Sequence, residues 1–322
     1  MNTRIFSAFL FCALALAGCK KNNEPLPTVE TIVTPFVAST RVSMGLHITS
    51  DVAQSSIDGG LYIGLEPNPD QTASTPLHFA ADTGLFYVVV NNFSPNTKYY
   101  VKAFAFNKSG KALGNELNFT TPATIQDNDN HVVDVVTIGT QTWMDENLRT
   151  IKFRNGEYVP TTTPGTKDIS SEDTPVYYWY TNNMNDSSIV YGNLYTWYAV
   201  TDSRNICPTG WHVPTDAEWA TLETALGSNL IAASLMKDIG NDHWIYPYNK
   251  DANNMSCFTA LPSGYRSASG SFNLIQNEAH FWSATESEPG KAWERLLTAS
   301  SYSTTRQGAL KNSGLSVRCI KD

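Results

Sequence analysis

The sequence predicts two folded parts of different classes, an all-β sandwich followed by an α+β domain. Apolar and polar residues alternate in several runs between residues 27 and 122, which is the two-residue period of a half-buried strand. All eight tryptophans lie beyond residue 140, so the two halves of the chain have cores of different chemistry. The length of 322 residues is that of about two ordinary domains.

Composition and charge exclude two classes of protein. Hydrophobic residues make up 41% of the chain and charged residues only 16%, which is too apolar for a disordered protein. The 22 Lys and Arg are outnumbered by 30 Asp and Glu, which gives a net charge of −8. A basic nucleic-acid-binding protein has the opposite balance, so we expect no nucleic-acid partner.

Residues 1–18 resemble a secretory signal peptide. Arg4 supplies the basic start, and the apolar run 5–17 is too short to span a bilayer comfortably. The run ends in Leu16-Ala17-Gly18-Cys19, which resembles the lipobox of bacterial lipoproteins.

The lipobox resemblance implies that Cys19 carries lipid and that residues 19–26 are the lipidated cysteine and a spacer. Lys20 follows the cysteine, in place of the Asp of an inner-membrane retention signal. We therefore expect a membrane partner through the lipid anchor, in the outer membrane of a Gram-negative cell and at the cell surface. Buried acyl chains anchor a protein stably.

Alternating runs assign residues 27–122 to a sandwich of short strands. In the clearest run, Val42, Met44, Leu46 and Ile48 form the apolar side. Further apolar or alternating runs lie at 61–65, 85–90, 99–106 and 117–119. Turn sequences rich in Gly, Pro and Asn separate them, as strands of a sandwich require.

One segment of the sandwich is more specific. Phe93-Ser94-Pro95-Asn96-Thr97-Lys98-Tyr99 resembles a corner of fibronectin type III domains, and 114–122 resembles their last strand. The resemblance implies that the hydroxyl of Tyr99 bonds back to the backbone. The Trp that the family usually buries on its second strand is missing. We expect this part to act as a spacer.

Residues 123–130 are polar and are predicted to be a linker. Asp127-Asn128-Asp129-Asn130 begins like a calcium loop, but His131 stands at the next alternate position, and the Gly and the closing Glu are missing. We expect a turn here and no metal.

Capping signals predict helices early in the second domain, residues 131–322. Thr215 and Glu218 have the spacing of a capping box, which predicts a helix over 216 to about 226 that Gly227 ends. Its apolar face carries Trp219, Leu222 and Leu226. Leu194, Trp197 and Tyr198 predict a second short helix. Beyond Asn241, we expect irregular loops and short strands.

Six blocks of the second domain resemble the Fibrobacter succinogenes major paralogous domain. The most distinctive block is Cys207-Pro208-Thr209-Gly210-Trp211-His212-Val213-Pro214. The others lie at 135–148, 191–200, 258–266, 281–286 and 314–319. The family is common in secreted and lipid-anchored proteins of the Bacteroidota.

The order of two early helices, a loop-rich β region and a last strand with a cysteine resembles the C-type lectin-like fold, which formylglycine-generating enzymes share. This resemblance implies a disulfide between Cys207 and Cys319. Cys257 stands where the Fibrobacter family tends to have Gly, and we expect it to be a buried, inert thiol.

No catalytic constellation is found. Formylglycine-generating enzymes hold copper with two cysteines near the C-terminal end, and Cys319 has no such neighbour. The calcium-ligand motifs of sugar-binding lectins are also missing from the second domain. We expect no catalytic residue, no cofactor and no metal, and a head that binds an unknown protein or glycan in adhesion. A divergent formylglycine-generating oxidase and a purely structural envelope or fimbrial accessory protein remain as alternatives.

The candidate ligand-binding residues belong to the residue types that are enriched at binding hot spots, and they lie in the loop-rich region of the head. The alternative is that they fill the core or pair internally. The six candidates are Tyr265, Arg266, Trp282, Glu286, Trp293 and Arg295.

Overall fold

The computed structural model describes residues 24–50, 57–70, 72, 76–173, 176–178, 187–245, 247, 249 and 251–322. The predicted lipid-attachment residue, Cys19, and the apolar run 5–17 lie outside these residues. Among the described residues, no helix is long and apolar enough to cross a membrane.

The first part of the chain is a β-sandwich of two strand layers. One layer has the strand order β1-β2-β5 and the other has the order β4-β3-β6-β7. The strands are β1 (Thr28–Ala38), β2 (Arg41–Thr49), β3 (Asp58–Gly64), β4 (Leu77–Ala80), β5 (Gly84–Asn91), β6 (Lys98–Asn107) and β7 (Gly110–Thr120).

The predicted apolar face of β2 and the predicted corner are both confirmed. Val42, Met44, Leu46 and Ile48 of β2 are fully buried against the second layer. The Ser94 backbone N–H donates to the hydroxyl oxygen of Tyr99 at 2.9 Å. The Tyr99 hydroxyl thus fixes the corner that leads into β6.

The sequence analysis missed β1, which contains Pro35. A proline cannot donate to a strand ladder, and it is tolerated where the ladder is irregular. The pairing of β1 with β2 shifts register between Val33 and Val37, on either side of the proline. Beyond this bulge, β1 also pairs with a strand of the second domain.

The second domain, called the head below, begins with short strands and helices and ends in a three-stranded meander. Its strands up to the first long helix are β8 (Ile125–Gln126), β9 (Val132–Val133), β10 (Val135–Ile138), β11 (Gln141–Met144), β12 (Tyr177–Tyr178), β13 (Leu194–Tyr195) and β14 (Trp211–His212). Its helices are α1 (Ser187–Tyr191), α2 (Trp197–Val200), α3 (Asp216–Ala225) and α4 (Asn229–Met236). The later strands are β15 (Tyr265–Arg266), β16 (Phe272–Asn273), β17 (Glu278–Glu288), β18 (Lys291–Thr298), β19 (Thr305–Leu310) and β20 (Ile320–Lys321).

The helix predictions for the head are confirmed in part. Thr215 and Glu218 form the capping box of α3. Gly227 follows it with a φ of 99°, in the left-handed region that favours glycine. The second predicted helix is shorter than expected, because Leu194 belongs to β13 and only Trp197–Val200 is helical.

The expectation of only short strands beyond Asn241 is wrong. β17 extends over 11 residues and pairs with β18, which pairs in turn with β19. Helix α4 was also missed.

One continuous sheet joins the sandwich to the head. Its order is β14-β20-β11-β10-β1-β2-β5, so β1 bridges the two parts. The pairs at the junction are Phe36 with Ile138, Val37 with Thr137 and Ala38 with Val136. Ala38 is fully buried in the apolar core of the head. The sandwich is therefore built into the head and is not a separate spacer.

Polar contacts reinforce this junction. The Arg41 guanidinium lies 2.9 Å from the Asp145 carboxylate and donates to the hydroxyl of Thr259 at the same distance. Burial raises the pKa of Asp145 to about 6, and the charge of Arg41 opposes that shift. Ser43, on the polar side of β2, is buried under Met255 of the head. The expected half-buried strand is in fact covered on both sides at this point.

The predicted linker contains β8 and a turn held by carboxylates. Asp127 accepts from the backbone N–H groups of Asp129 and His131, and Asp129 accepts from the N–H of Ile151. Lys152 pairs with Asp129 at 3.0 Å. Both carboxylates are thus used within the fold, as the prediction of a turn requires.

The three cysteines among the described residues are one disulfide pair and one free thiol. Cys207 and Cys319, 112 residues apart, form the predicted disulfide. Cys257 is a buried free thiol, and burial raises its pKa to about 12, as expected for an inert thiol. Its φ of 57° lies in the left-handed region, which explains why glycine suits this position.

Candidate functional site

The meander of the head has two different faces. Ala279, Phe281 and Leu297 point into the core beneath α3. Because side chains alternate along a strand, Glu278, His280 and Glu294 point to the opposite face. On that face, the sheet and the segment around Tyr265 enclose a cavity.

The cavity has a volume of about 360 Å³. Its walls combine apolar side chains with a few polar groups, a composition typical of ligand sites. Leu274 and Leu310 are exposed at its mouth. The lining residues are Tyr265, Leu274, Glu278, His280, Glu294, Leu296, Gln307, Ala309, Leu310, Ser313 and Leu315.

A buried ionic triad forms part of this lining. His280 Nδ1 lies 2.8 Å from Glu294 Oε2, and His280 Nε2 lies 2.8 Å from Glu278 Oε2. Gln307 donates to the other oxygen of Glu294 at 2.7 Å, and the Tyr265 ring packs 4.9 Å from the imidazole. Burial alone lowers the pKa of His280, but the two carboxylates outweigh it and raise the pKa to about 9. The triad therefore carries one net negative charge at neutral pH.

The raised pKa of His280 predicts a pH-dependent stability. The protonated imidazole stabilises the fold fully below the unfolded pKa of about 6.5, and this contribution is lost as the pH rises through about 9. We expect it to amount to roughly 3 kcal/mol between these limits. Between pH 7 and 9.5, the free energy of unfolding measured with urea should decrease much less in His280→Gln than in wild type.

His131→Gln, at a partly exposed histidine paired with Asp127, is the matched control and should keep the wild-type slope. If the curves of His280→Gln and wild type run parallel over this range, His280 is not the titrating group.

Three of the six candidate residues are interior, and their assignment to ligand binding is corrected. Arg266 is fully buried and donates to the backbone carbonyls of Gly165 and Lys167. Trp282 is fully buried, and its indole N–H donates to the carbonyl of Tyr195. The third is Arg295, which is also buried.

Arg295 is only 1% exposed, between the Asp216 carboxylate at 2.8 Å and the Glu223 carboxylate at 2.9 Å. These carboxylates on α3 offset the desolvation free energy of burying the guanidinium. Arg295 therefore ties the meander to α3.

The other three candidates lie at different places on the head. Glu286 pairs with Lys311 at 2.7 Å. Trp293 is covered by the Arg306 guanidinium, 3.3 Å from its ring centre, on the face opposite the cavity. Of the six, only Tyr265 lines the cavity, so the structure does not bring the candidates together.

The sequence analysis missed Glu278, His280, Glu294 and Gln307. A weak signal was available, because the polar Glu278 and His280 alternate with the apolar Ala279 and Phe281. Two-residue alternation identifies a strand, but it does not show whether its polar side faces solvent or a cavity.

Among the described residues, no group of three His, Cys, Asp or Glu side chains has an arrangement that could hold a metal ion. In the triad, both imidazole nitrogens of His280 are hydrogen-bonded to the two carboxylates. Cys319 is in the disulfide and Cys257 is buried elsewhere, so no two free cysteines meet among these residues.

The family model of the Fibrobacter succinogenes major domain matches residues 136–321, which is more than half of the chain. The chain belongs to this family. The matched residues of the major domain begin within β10, beside the strand of the sandwich that completes its sheet. A search of curated proteins finds no significant match.

Two matching solved structures contain fibronectin type III domains. One is the solution structure of that domain from human fibronectin type III domain containing protein 3, at 22% identity and a TM-score of 0.24, with 31% of this chain and 87% of that chain covered. The other is the crystal structure of the chicken CNTN1 FN1-FN3 domains, at 20% identity and a TM-score of 0.23, with 30% and 31% covered. Similarities this low carry no argument about function.

Proposed function

We propose that this protein is a lipid-anchored envelope protein of the Gram-negative outer membrane, whose major domain binds a ligand at the cell surface. The observation that carries the proposal is the cavity of about 360 Å³ beside His280. Concave sites with apolar walls and a few convergent polar groups are where ligands bind. Membership of the major domain family fits an extracellular or surface protein.

The sandwich and the disulfide hold the head in a fixed conformation. The sheet continues from β1 into β10, and the disulfide ties the segment before α3 to the residue before β20. These features also support the finer proposal that the head is C-type lectin-like and adhesive. Binding residues on a rigid scaffold lose little conformational entropy when a ligand is captured.

One experiment with three proteins tests both the anchor and the cavity. Wild type, Cys19→Ser and Ala309→Phe are expressed in a Gram-negative host with labelled palmitate, and the purified proteins are applied to glycan and protein arrays. Wild type should be labelled and should bind a ligand. Cys19→Ser should lose the label and keep binding. Ala309→Phe, which fills the cavity, should keep the label and lose binding at least tenfold.

The melting temperature, followed by tryptophan fluorescence, shows that Ala309→Phe is folded. Undiminished labelling of Cys19→Ser contradicts the anchor. Array binding that a folded Ala309→Phe retains contradicts the cavity as the site, and the absence of any ligand contradicts the proposed function itself.

A further inference from the structure

The outer edge of β19 is open in the part of the chain that the structure describes. The strand order β17-β18-β19 leaves β19 at the margin of the meander, with its residues 305–308 exposed. Its register with β18 runs without a bulge from Thr305 to Leu310. The strand contains neither proline nor lysine. Natural edge strands usually carry such features, because unpaired backbone groups attract another strand.

Arg306, the charged residue of β19, does not block pairing at this edge. Arg306 Nε donates to Asp216 at 2.9 Å, and the guanidinium lies over Trp293. Both contacts hold Arg306 on the face opposite the cavity. An added strand would therefore meet a neutral edge.

The cavity lies beside the same strand. Gln307 and Ala309 alternate along β19 and both line it. A peptide that adds to a sheet edge makes main-chain hydrogen bonds and presents every second side chain to one face. Side chains of a peptide on β19 would thus be offered to the cavity.

The charge of the cavity selects among these side chains. Glu278 and Glu294 flank one protonated histidine, which leaves one net negative charge in a chain whose total is −8. Glu278 Oε2 is engaged by His280, while Glu278 Oε1 accepts no hydrogen bond from any residue that the structure describes. One open carboxylate oxygen suits an ammonium group better than the two-pronged guanidinium of arginine.

The walls fit the rest of such a side chain. Leu296, Ala309 and Leu310 line the same cavity as the two carboxylates. A lysine buries its aliphatic stem along apolar surface while its ammonium reaches a polar group. The cavity therefore offers both parts that a lysine side chain needs.

We infer that an extended peptide adds to β19 as a fourth strand and places a lysine side chain in the cavity, with its ammonium at the open carboxylate oxygen of Glu278. The inference rests on the proposed function, because the same cavity holds the ligand. It adds the class of ligand and the mode of recognition.

Oriented peptide pools test this. Immobilised protein, with residues 19–322 present and Cys19→Ser, is incubated with four pools of random eight-residue peptides whose fifth position is fixed as Lys, Arg, Ala or Glu. We expect the Lys pool to be retained at least fivefold over the Ala and Glu pools and more than the Arg pool. Acetylation of the lysine should abolish this preference. Hydrogen–deuterium exchange with the retained Lys pool should slow at residues 305–310.

Two variants assign the effect to the cavity. Glu278→Gln removes the open carboxylate and should lose the preference for lysine. Gln307→Lys, at an exposed residue whose amide already reaches Glu294, supplies an ammonium from within the chain and should reduce retention at least fivefold. Glu288→Gln, at an exposed carboxylate on the same strand as Glu278, is the control and should bind like wild type.

Equal retention of the four pools, no retention of any pool, or protection outside β19 would overturn the inference. Retention that survives in a folded Gln307→Lys would also overturn it. If the arrays instead yield a glycan whose binding is lost in Ala309→Phe, the proposed function stands and the peptide inference fails.

Discussion

The double variant Cys207→Ala/Cys319→Ala should lose about 4–5 kcal/mol of unfolding free energy. The disulfide closes a loop across 112 residues, and the chain-entropy model gives this magnitude for a loop of that length. Cys319 also precedes β20, which pairs with both β11 and β14, so the cross-link restrains the end of the shared sheet. Urea unfolding of the oxidised proteins measures the difference.

Cys257→Ala is the matched control for this variant. It removes a buried thiol without removing a cross-link and should cost only about 1 kcal/mol. Wild type treated with a reductant should resemble the double variant. A double variant as stable as Cys257→Ala would show that the bond contributes little beyond the packing of its two side chains.

Ala38→Asp should destabilise the head by about 3–5 kcal/mol, although Ala38 belongs to a strand of the sandwich. The side chain is fully buried within the apolar core of the head, and a carboxylate there would have no partner. All eight tryptophans lie beyond residue 140, so tryptophan fluorescence reports the unfolding of the head alone. The urea midpoint of the fluorescence transition should therefore fall.

Leu85→Asp places the same charge on β5, at a side chain that is 54% exposed, and should leave the free energy of unfolding of the head within about 0.5 kcal/mol of wild type. If Ala38→Asp leaves the fluorescence transition unchanged, the sandwich and the head unfold independently and the shared sheet does not couple them. A shift in Ala38→Asp alone means that the head needs β1 for its own stability.

Patterns within short windows were predicted correctly. The alternation of β2, the Tyr99 corner and the capping box of α3 depend on neighbours within about five residues. The pairing of Cys207 with Cys319 spans a much larger distance, and it was inferred from the resemblance to a lectin-like fold. Local periodicity alone left that pairing open.

Residue type alone does not assign the candidate binding residues. Arginine is a residue type enriched at binding surfaces, yet both arginines are buried inside the head. Arg266 donates to the backbone carbonyl of Gly165, and Arg295 forms ion pairs with two carboxylates of α3. A guanidinium is stable in an interior when its donors are satisfied. The partners lie 72 to 101 residues away in the chain, so residue type could not reveal them.

Residue periodicity and capping chemistry indicated α3 and the sandwich strands other than β1 and β4, because these patterns depend on near neighbours in the chain. The junction and the cavity arise from contacts between distant segments. β1 bridges the two parts because residues 36–38 pair with β10 along one edge, while Val37 also pairs with β2 along the other edge. Glu278, His280 and Glu294 meet because β17 and β18 fold back on each other. The pairing of strands brings these charges together, and the sequence pattern contains no information on which strands will pair.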